Sequence, residues 1–572
     1  MPAHVQFIST LVRRHPRALG VAALFVAVTY LGLARLDSTP FWDDEAYVGI
    51  IARNYLATGT FTGWDGRNLL AYRNGQMLDR NLRYINPPLD CLVTAGSFRL
   101  FGQTTWAGRF PFVIAGLAAL AIFGLVVYRD FRDQPALWLY ALAGLGLSVV
   151  FLLNIRQCRY YSLGLLTSLL AYDAYRRCLA RARPVHYLVF AGAMIAMFYS
   201  SFLYCAAFTG ALAVVHLAFH RRELKRTDLW KLALAIACIA AATVPYAIQH
   251  RIWHRPDIER GELWFVRKPT LLWWNLRELN MQGLPWMVAA GLIVVFVLTW
   301  RRDRHLRQVL EYIVLSIGYV VLVAMLSPQP VQTFARLADV RYLLPAVPFL
   351  AVPVAAVLYP VHQRAPLVAV ALLIILLTTN TFSANPWGWE SRWLLPAYVD
   401  EVHHDYPTAT AQVVAYLRQN AKKDDVVFSW PEYSNYPLLF YLGDHVRTGC
   451  LLDPYTPLPM DKVEEMERAG APLLIDRHFP DWIVLFGTQL AAPELLKAFS
   501  RPHPQDDKVV RMRYWKVASL DLYWRPTNRP ELHLHSFGPK RGFDPISNGV
   551  HILKGTLVYP ETSTAPATAP AK

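Results

Sequence analysis

Eleven apolar segments follow one another through the first two thirds of the chain. A transmembrane helix needs about 20 predominantly apolar residues, and fewer where the bilayer thins around it. The segments lie at 18–36, 108–128, 136–153, 160–175, 186–203, 205–219, 231–249, 285–300, 309–326, 341–359 and 366–379. This pattern predicts a polytopic α-helical membrane protein with about 11 transmembrane helices.

Composition and charge placement agree with a membrane protein. Hydrophobic residues make up 54% of the chain and charged residues 17%, whereas soluble domains are about 45–50% apolar and about 25% charged. The net charge of +16 would suggest nucleic acid in a soluble domain. Here 19 Lys and Arg lie in the 56 residues of the alternate loops on one side, against 6 in the 71 residues of loop 37–107. The basic excess is therefore a positive-inside topology signal, and we expect no nucleic-acid partner.

The same asymmetry orients the chain. The first segment ends in Ala34-Arg35-Leu36-Asp37, without a small-x-small cleavage site, so it is predicted to remain as an anchor with a cytoplasmic N-terminus. An odd number of spans then places the chain after residue 380 outside. We expect a multi-pass protein of the bacterial cytoplasmic (inner) membrane with a periplasmic C-terminal part.

The chain is predicted to have three parts. Residues 1–379 form the membrane domain, residues 380–560 an extracytoplasmic α/β domain, and residues 561–572 a disordered tail. Within the second part, Val509–Trp524 alternates like a hairpin with Ala518–Leu520 near its bend. Its other predicted elements are a capped helix at Thr408–Asn420, a short helix at Pro437–Leu442, and strands at Val426–Trp430 and Asp481–Phe486.

Three adjacent carboxylates follow the first span. Asp43, Asp44 and Glu45 stand directly before a helix predicted at Val48–Tyr55. Crowded like charges at an apolar boundary raise at least one pKa, which suits a general base, or they bind a divalent cation. The alternative is that Asp43 caps the helix and the others are solvated near its positive end.

The same outer loop continues to a proline pair. Arg80 and Arg83 precede Asn86-Pro87-Pro88-Leu89, and Leu89–Phe101 then reads as an apolar helix interrupted by Asp90 and Arg99. This helix is predicted to lie along the membrane surface, because it is too short and too interrupted to span.

Arginines on the outer face run against the positive-inside bias. Arg156 and Arg159, followed by Tyr160, lie in a short outer loop, and Arg336 and Arg341 precede a late span. Two or three such arginines converging on one groove would bind a phosphate through bidentate hydrogen bonds. The alternative is snorkelling to lipid head groups.

Four motifs occur in a familiar order. They are Asp-Asp-Glu-Ala-Tyr at 43–47, Asn-Pro-Pro-Leu at 86–89, Arg-x-x-Arg-Tyr-Tyr-x-Leu at 156–163 and Arg-Tyr-Leu-Leu-Pro at 341–345. With a C-terminal α/β domain, this ordered set resembles the GT-C glycosyltransferases. The most similar branch is the bacterial one that includes the lipid A aminoarabinose transferases and the protein O-mannosyltransferases.

The resemblance implies a sugar on polyprenyl phosphate as donor and an acceptor hydroxyl on the outer face. The acceptor would be a glycolipid, a polysaccharide or a protein. By the family pattern Asp44 would be the general base and Glu45 its neighbour, with Asp43 capping the helix or holding a metal. Arg156, Arg159, Tyr160 and Arg341 would hold the donor phosphate. Direct attack on a β-linked donor would give inversion.

One position departs from the family pattern. The residue before Pro-Pro-Leu is typically Lys in the aminoarabinose transferases, whereas here it is Asn86, which brings no charge. Either the donor phosphate is held less tightly or another cation replaces the lysine, and the loop offers Arg83, three residues upstream, and Arg80 beyond it. We expect Arg83 to be that cation. The departure also argues for a sugar other than aminoarabinose.

Two other classes of protein remain as alternatives. A transporter or flippase for lipid-linked sugars would also need many spans, but charged pairs do not recur at mid-span here. A structural membrane anchor would leave the Asp-Asp-Glu sequence unexplained. No Walker-type Gly-Lys-Ser/Thr sequence is present, and the sequence leaves metal dependence open.

Overall fold

The computed structural model describes most of the chain. The described residues are 16–71, 75, 77–79, 81–223, 228–252, 264–282, 284–285, 289–290, 292–293, 304–327, 340–383, 393–404, 408–430, 432–449, 460–471, 480–486, 511–520 and 550–558. Arg80, Arg336 and most of the predicted span 285–300 lie outside them.

The described residues form two compact units. The first contains residues up to Ser38 and those from Pro87 to 404, and the second contains Thr39–Asn86 and the residues from 408 onward. The prediction had assigned the whole of loop 37–107 to the membrane part and had begun the second part at 380. The structure instead groups residues 39–86 with the C-terminal α/β elements. A separate extracytoplasmic C-terminal domain stays a prediction.

The first unit is built from helices. They are α1 (Pro16–Leu33), α3 (Leu89–Phe101), α4 (Thr105–Asp130), α5 (Pro135–Gly146), α6 (Val149–Ile155), α7 (Tyr161–Arg181), α8 (Pro184–Ser200), α9 (Phe202–Val215), α10 (Leu229–Gln249), α11 (Trp264–Gln282), α12 (Arg304–Leu326), α13 (Val347–Arg364), α14 (Pro366–Thr378) and α15 (Leu395–His403). A π-helical turn, His216–His220, extends α9, and a 3₁₀ segment, Val340–Ala346, precedes α13.

Five helical stretches among the described residues are long and apolar enough to cross a membrane. They are Thr105–Asp130, Phe202–His220, Leu229–Gln249, His305–Leu326 and Val340–Arg364. The pair α5 and α6, bent by 51°, makes a sixth if counted as one span, and α1, α8 and α14 are shorter apolar helices. The multi-pass helical class therefore holds, while the count of about 11 spans stays a prediction.

Serine and threonine caps and prolines set several of these helix starts. The side chains of Thr104 and Ser148 accept hydrogen bonds from the third residue beyond, at 3.1 and 3.2 Å. Pro135, Pro184 and Pro366 stand in the first turns of α5, α8 and α14. Such caps accept hydrogen bonds from first-turn N–H groups that have no partner within the helix. Proline is favoured in the first turn because it has no N–H group that would be left without a partner.

A buried ionic network joins the helix ends near the basic loops. Glu311 accepts hydrogen bonds from Arg176 at 2.7 Å and from Tyr172 at 2.9 Å, and its second oxygen lies 3.1 Å from His220. Tyr312 donates to Asp130 at 2.7 Å. Buried charges are tolerated when they are paired and hydrogen-bonded in this way.

The second unit combines one N-terminal helix with an α/β arrangement. Its elements are α2 (Asp43–Thr58), α16 (Ala409–Asn420), β1 (Val426–Trp430), α17 (Asn435–Leu442), β2 (Arg447–Thr448), α18 (Met460–Arg468), β3 (Trp482–Phe486), β4 (Arg511–Leu520) and β5 (Val550–Val558). The strand order is β2-β1-β3-β5-β4, with β2, β1 and β3 parallel and the other pairs antiparallel.

The predicted hairpin at Val509–Trp524 is wrong. Residues 511–520 form one strand, β4, which pairs along its length with β5, and Ala518 lies opposite Ile552. The register shifts between Lys516 and Ala518. A bulge interrupts strand alternation as a bend does, and alternation does not reveal which distant strand is the partner. The predicted helices after Thr408 and near 437–442 and the strands β1 and β3 are confirmed.

The loop after α2 is fixed to the α/β elements of the same unit. The buried Asn68 amide donates to the carbonyl of Gly443 and accepts from the N–H of Thr448, both at 3.1 Å. Arg67 pairs with Asp424 at 2.8 Å. The loop after α2 is thereby held by residues that are far away in sequence.

Candidate functional site

The acidic triplet forms the first turn of α2. The helix begins at Asp43 with Trp42 as its N-cap, rather than at Val48 as predicted. Glu45 Oε2 accepts from the Trp42 N–H at 3.4 Å, and Asp43 Oδ1 accepts from the Asp44 N–H at 3.0 Å. Carboxylates are favoured here because the helix dipole is positive at this end.

The three carboxylates differ in environment. Glu45 is fully buried and, as the third residue of a capping box, accepts a hydrogen bond from the N–H of the N-cap residue, while Asp44 is 8% exposed. Within the described residues, groups of three or more His, Cys, Asp or Glu side chains that could hold a metal ion do not occur.

Asn86 is held by Tyr47, which stands one helical turn after Asp44 in α2. Its Nδ2 donates to the hydroxyl of Tyr47 at 2.8 Å, and the Tyr47 ring meets the ring of Tyr84 edge-on, with centroids 5.0 Å apart. Arg83 is exposed, and its backbone N–H donates to Asp79 at 3.0 Å. The structure therefore links Asn86, the first residue of the Asn-Pro-Pro sequence, to the acidic helix within the second unit.

An aromatic residue near the acidic turn is not among the residues predicted from the sequence. Tyr433, 44% exposed, follows β1 in the same unit. Partial burial of its phenol and the nearby Asp43 carboxylate raise the pKa of Tyr433 to about 12, so the phenol stays a hydrogen-bond donor at neutral pH. An isolated tyrosine in a loop carries no sequence signal of this proximity.

Arg156 has partners that the sequence did not suggest. Its buried guanidinium donates to the carbonyl oxygens of Leu31 at 2.9 Å, Ala34 at 2.8 Å and Arg35 at 3.2 Å. The last carbonyls of a helix have no partner within the helix. Arg156 thus satisfies the C-terminal end of α1, and its role at a phosphate stays only a prediction.

Arg159 and Arg341 meet in a cluster of tyrosines. Arg341 Nη1 donates to the hydroxyl of Tyr161 at 3.1 Å, and the guanidinium of Arg159 lies 5.2 Å from the ring centroid of Tyr160. The rings of Tyr160 and Tyr161 are 4.8 Å apart. We call Arg159, Tyr160, Tyr161, Tyr204 and Arg341 the arginine–tyrosine cluster. Two guanidinium groups held this way can bind an anion bidentately.

A glycine makes this cluster possible. A Cβ atom on Gly164 would lie 2.3 Å from Cδ2 of Tyr204, so only glycine admits the tyrosine ring there. The Tyr204 hydroxyl donates to the carbonyl oxygen of Arg341, and its ring lies 5.4 Å from that of Tyr160. The backbone of Arg341 is thereby fixed next to the first turn of α7.

A buried carboxyl group stands beside the cluster. Asp90, at the start of α3, is 2% exposed and accepts from the Cys91 N–H at 2.8 Å. Burial raises the pKa of Asp90 to about 6, and the nearby Arg159 and the bond from Cys91 limit the rise. The sequence analysis had noted Asp90 only as an interruption in an apolar helix. Helix α3 itself is confirmed, and its position along the membrane surface stays a prediction.

Comparison with known proteins identifies the fold. No family model matches the chain, and no curated protein matches it. The crystal structures of ArnT from Cupriavidus metallidurans, in the apo state and bound to undecaprenyl phosphate, align with 94% of this chain and with 98% and 97% of theirs. Both have a TM-score of 0.52 and 14% sequence identity. The oligosaccharyltransferase AglB from Archaeoglobus fulgidus aligns with 83% of this chain and 70% of its own, with a TM-score of 0.47 and 10% identity.

The similarity to ArnT extends over nearly the full length of both chains. This chain therefore has the GT-C fold that its ordered motifs suggested.

Proposed function

We propose that this protein is an integral-membrane glycosyltransferase that moves a sugar from a polyprenyl-phosphate donor to an acceptor hydroxyl. The observation that carries the proposal is the gathering of Arg159 and Arg341, far apart in sequence, in one arginine–tyrosine cluster. ArnT, which shares the fold, was solved with undecaprenyl phosphate bound. The phosphate of a polyprenyl-phosphate donor is an anion of the kind that two guanidinium groups bind.

The chemistry assigns a role to each group. Arg159 and Arg341 bind the donor phosphate and neutralise the charge that develops on it as the bond to the sugar breaks. The phosphate leaves with the electron pair of that bond. Asp44 takes the proton of the acceptor hydroxyl, whose oxygen forms the new bond to the anomeric carbon. One base and no covalent intermediate imply inversion.

The other residues of the two motifs support these groups. Glu45 caps α2 and so holds Asp44 in position. The carboxylate of Asp43 acts electrostatically on the phenol of Tyr433. Asn86 contributes a hydrogen-bonding group next to the proline pair. Arg83 is the cation that replaces the lysine of the family. Tyr160 supports Arg159 through its ring.

The proposed setting is the outer face of the bacterial cytoplasmic membrane. The positive-inside charge distribution supports a cytoplasmic N-terminus and an outer location for the acidic loop. The acceptor is a glycolipid, a polysaccharide or a protein hydroxyl.

The test is transfer by purified protein in lipid nanodiscs. Undecaprenyl-phosphate-linked sugars are supplied with a panel of glycolipid, glycan and peptide acceptors, and release of undecaprenyl phosphate is measured with product mass. Consumption of a donor with a matching gain in acceptor mass is expected. Movement of the lipid-linked sugar between leaflets of proteoliposomes, with no transfer to any acceptor, would instead identify a flippase.

A further inference from the structure

Three buried side chains around Arg159 have polar atoms without hydrogen-bond partners among the residues that the structure describes. They are Nε2 and Oε1 of Gln157, Oδ1 of Asn154 and Oγ of Ser162. Gln157 is 2% exposed, and Asn154 and Ser162 are fully buried. A buried polar atom without a partner costs its full desolvation free energy, and native proteins retain very few. Four such atoms lie within nine residues of sequence, next to the cluster that contains Arg159, where a polar ligand would give them partners.

The segment that carries these atoms is firmly anchored. Asn154 Nδ2 donates to the carbonyl of Val150 at 2.6 Å, and the Arg159 N–H donates to the carbonyl of Gln157 at 2.7 Å. Ile155 packs so closely on Gly116 that a Cβ there would lie 2.3 Å from its Cγ2. Such anchoring fixes the backbone that carries Gln157 and the side chain of Asn154, and a fixed backbone favours a preorganised binding site.

The chemistry of the unpartnered atoms limits the ligand. Gln157 Oε1 and Asn154 Oδ1 are acceptors and need donors, Gln157 Nε2 needs an acceptor, and a serine hydroxyl serves either way. An ionised phosphate has only acceptors, and a prenyl chain has neither kind of group. Neighbouring hydroxyl groups on a sugar ring both donate and accept, so they satisfy the whole set.

We propose that Gln157, with Asn154 and Ser162, binds the hydroxyl groups of the sugar that the donor lipid carries. This inference rests on the proposed function, because it assigns the sugar of the same donor. Gln157 and Arg159 stand two residues apart in one turn, at most about 7 Å along the backbone. A sugar joined directly to a phosphate has a comparable length, so one loop serves both halves of the donor head group.

The test compares two lipids on one variant. Binding of undecaprenyl phosphate and of undecaprenyl-phosphate-linked hexoses and pentoses is measured for the wild-type protein and for Gln157→Leu in nanodiscs. We expect the affinity for undecaprenyl phosphate to change less than twofold and the affinity for the preferred sugar lipid to fall about tenfold or more. Gln103→Leu, at an exposed glutamine in the turn before α4, is the matched control and should change neither.

The melting temperature of the ligand-free protein gives a second readout. Leucine removes the unpartnered amide at similar volume, so Gln157→Leu should melt higher than the wild type while binding the sugar lipid less well. A lower melting temperature with unchanged sugar preference would show that Gln157 has a structural or hydration role only, and would overturn the inference. If Gln157→Leu does not fold, Ser162→Ala is measured in the same way and must reduce sugar preference.

The two proposals fail in different ways. If the wild type binds undecaprenyl phosphate but binds none of the sugar lipids more tightly than undecaprenyl phosphate, the proposed sugar site is wrong and the proposed phosphate site stands. If the wild type binds neither kind of lipid, the proposed function itself fails.

Discussion

At the scale of single residues, Asp44 is the group on which the proposed chemistry depends. Asp44→Asn keeps the shape of the side chain but removes the base, so turnover should fall about 10²–10⁴-fold while donor binding and helicity persist. Single-turnover transfer by purified protein measures the effect. Glu45→Gln, which can still accept the Trp42 hydrogen bond, should lose much less. Full activity in Asp44→Asn, with loss in Glu45→Gln or Asp43→Asn, would reassign the base.

The three outer arginines should separate into two kinds of effect. Arg159→Ala and Arg341→Ala each remove a charge-assisted bond worth about 1.5–3 kcal/mol, so donor-lipid affinity should fall about tenfold or more. Arg156→Ala should instead lower the melting temperature, because three or more carbonyls at the end of α1 lose their donor. Isothermal titration and thermal unfolding separate the two. An equal loss of donor-lipid affinity in all three variants would show that Arg156 also binds the donor phosphate.

Asp90 should make donor binding depend on pH. Its pKa of about 6 means that the carboxyl is neutral below pH 6 and anionic above it, where it offsets the positive charge of Arg159. Affinity for a phosphodiester-linked sugar lipid, which has no ionisation of its own in this range, should therefore weaken as pH rises through 6.

Asp90→Asn should abolish that step and bind more tightly at pH 7.5. Because the folded-state pKa lies above the ordinary value, folding stability also decreases as pH rises from about 4 to about 6, and the variant should escape this loss. A pH step that persists in Asp90→Asn would exclude Asp90 as its source.

At the scale of elements, the packing of α7 determines where the arginine–tyrosine cluster forms. Gly164→Ala would force the Tyr204 ring away and so displace the backbone of Arg341, although residue 164 carries no polar group. We expect weaker donor binding and a stability loss of about 1–3 kcal/mol. Gly192→Ala in α8 is the matched control, since nothing lies within 4 Å of the added Cβ. It should be neutral or slightly stabilising. Unchanged donor affinity in Gly164→Ala would argue against this positioning role.

At the scale of the whole molecule, residues 39–86 fold with sequence that lies more than 300 residues later. The N–H of Phe41 donates to the hydroxyl of Tyr441 at 2.8 Å, and a Cβ on Gly49 would lie 2.9 Å from the ring of Phe440. A chain that ends at residue 404 should therefore leave residues 39–86 unprotected. Limited proteolysis and amide hydrogen exchange measure this, with the full chain as control. Undiminished protection of α2 would show that the loop folds without the C-terminal part.

Much of the local structure could be predicted from the sequence. Helix α3 runs over the predicted Leu89–Phe101 because Pro87-Pro88 fixes its entry and Gly102 follows its last residue. The alternation of β1 and β3 was also visible, as was the acidic start of α2, although that helix begins five residues before the prediction. These features depend on neighbours within a few residues, and the sequence carries that information directly.

The tertiary structure decided which groups meet. Arg156 and Arg159 are three residues apart with the same side chain, yet one caps α1 and the other faces Tyr160. Their directions depend on a 51° bend between α5 and α6 and on the position of α1, neither of which leaves a local pattern. The same holds for β4, whose partner β5 begins thirty residues after it ends. Hydropathy and helix signals are properties of short segments, so the sequence alone determined a polytopic helical protein with an acidic loop after its first apolar segment. Side-chain direction and long-range pairing depend on how distant segments pack, so only the fold could determine the arginine–tyrosine cluster.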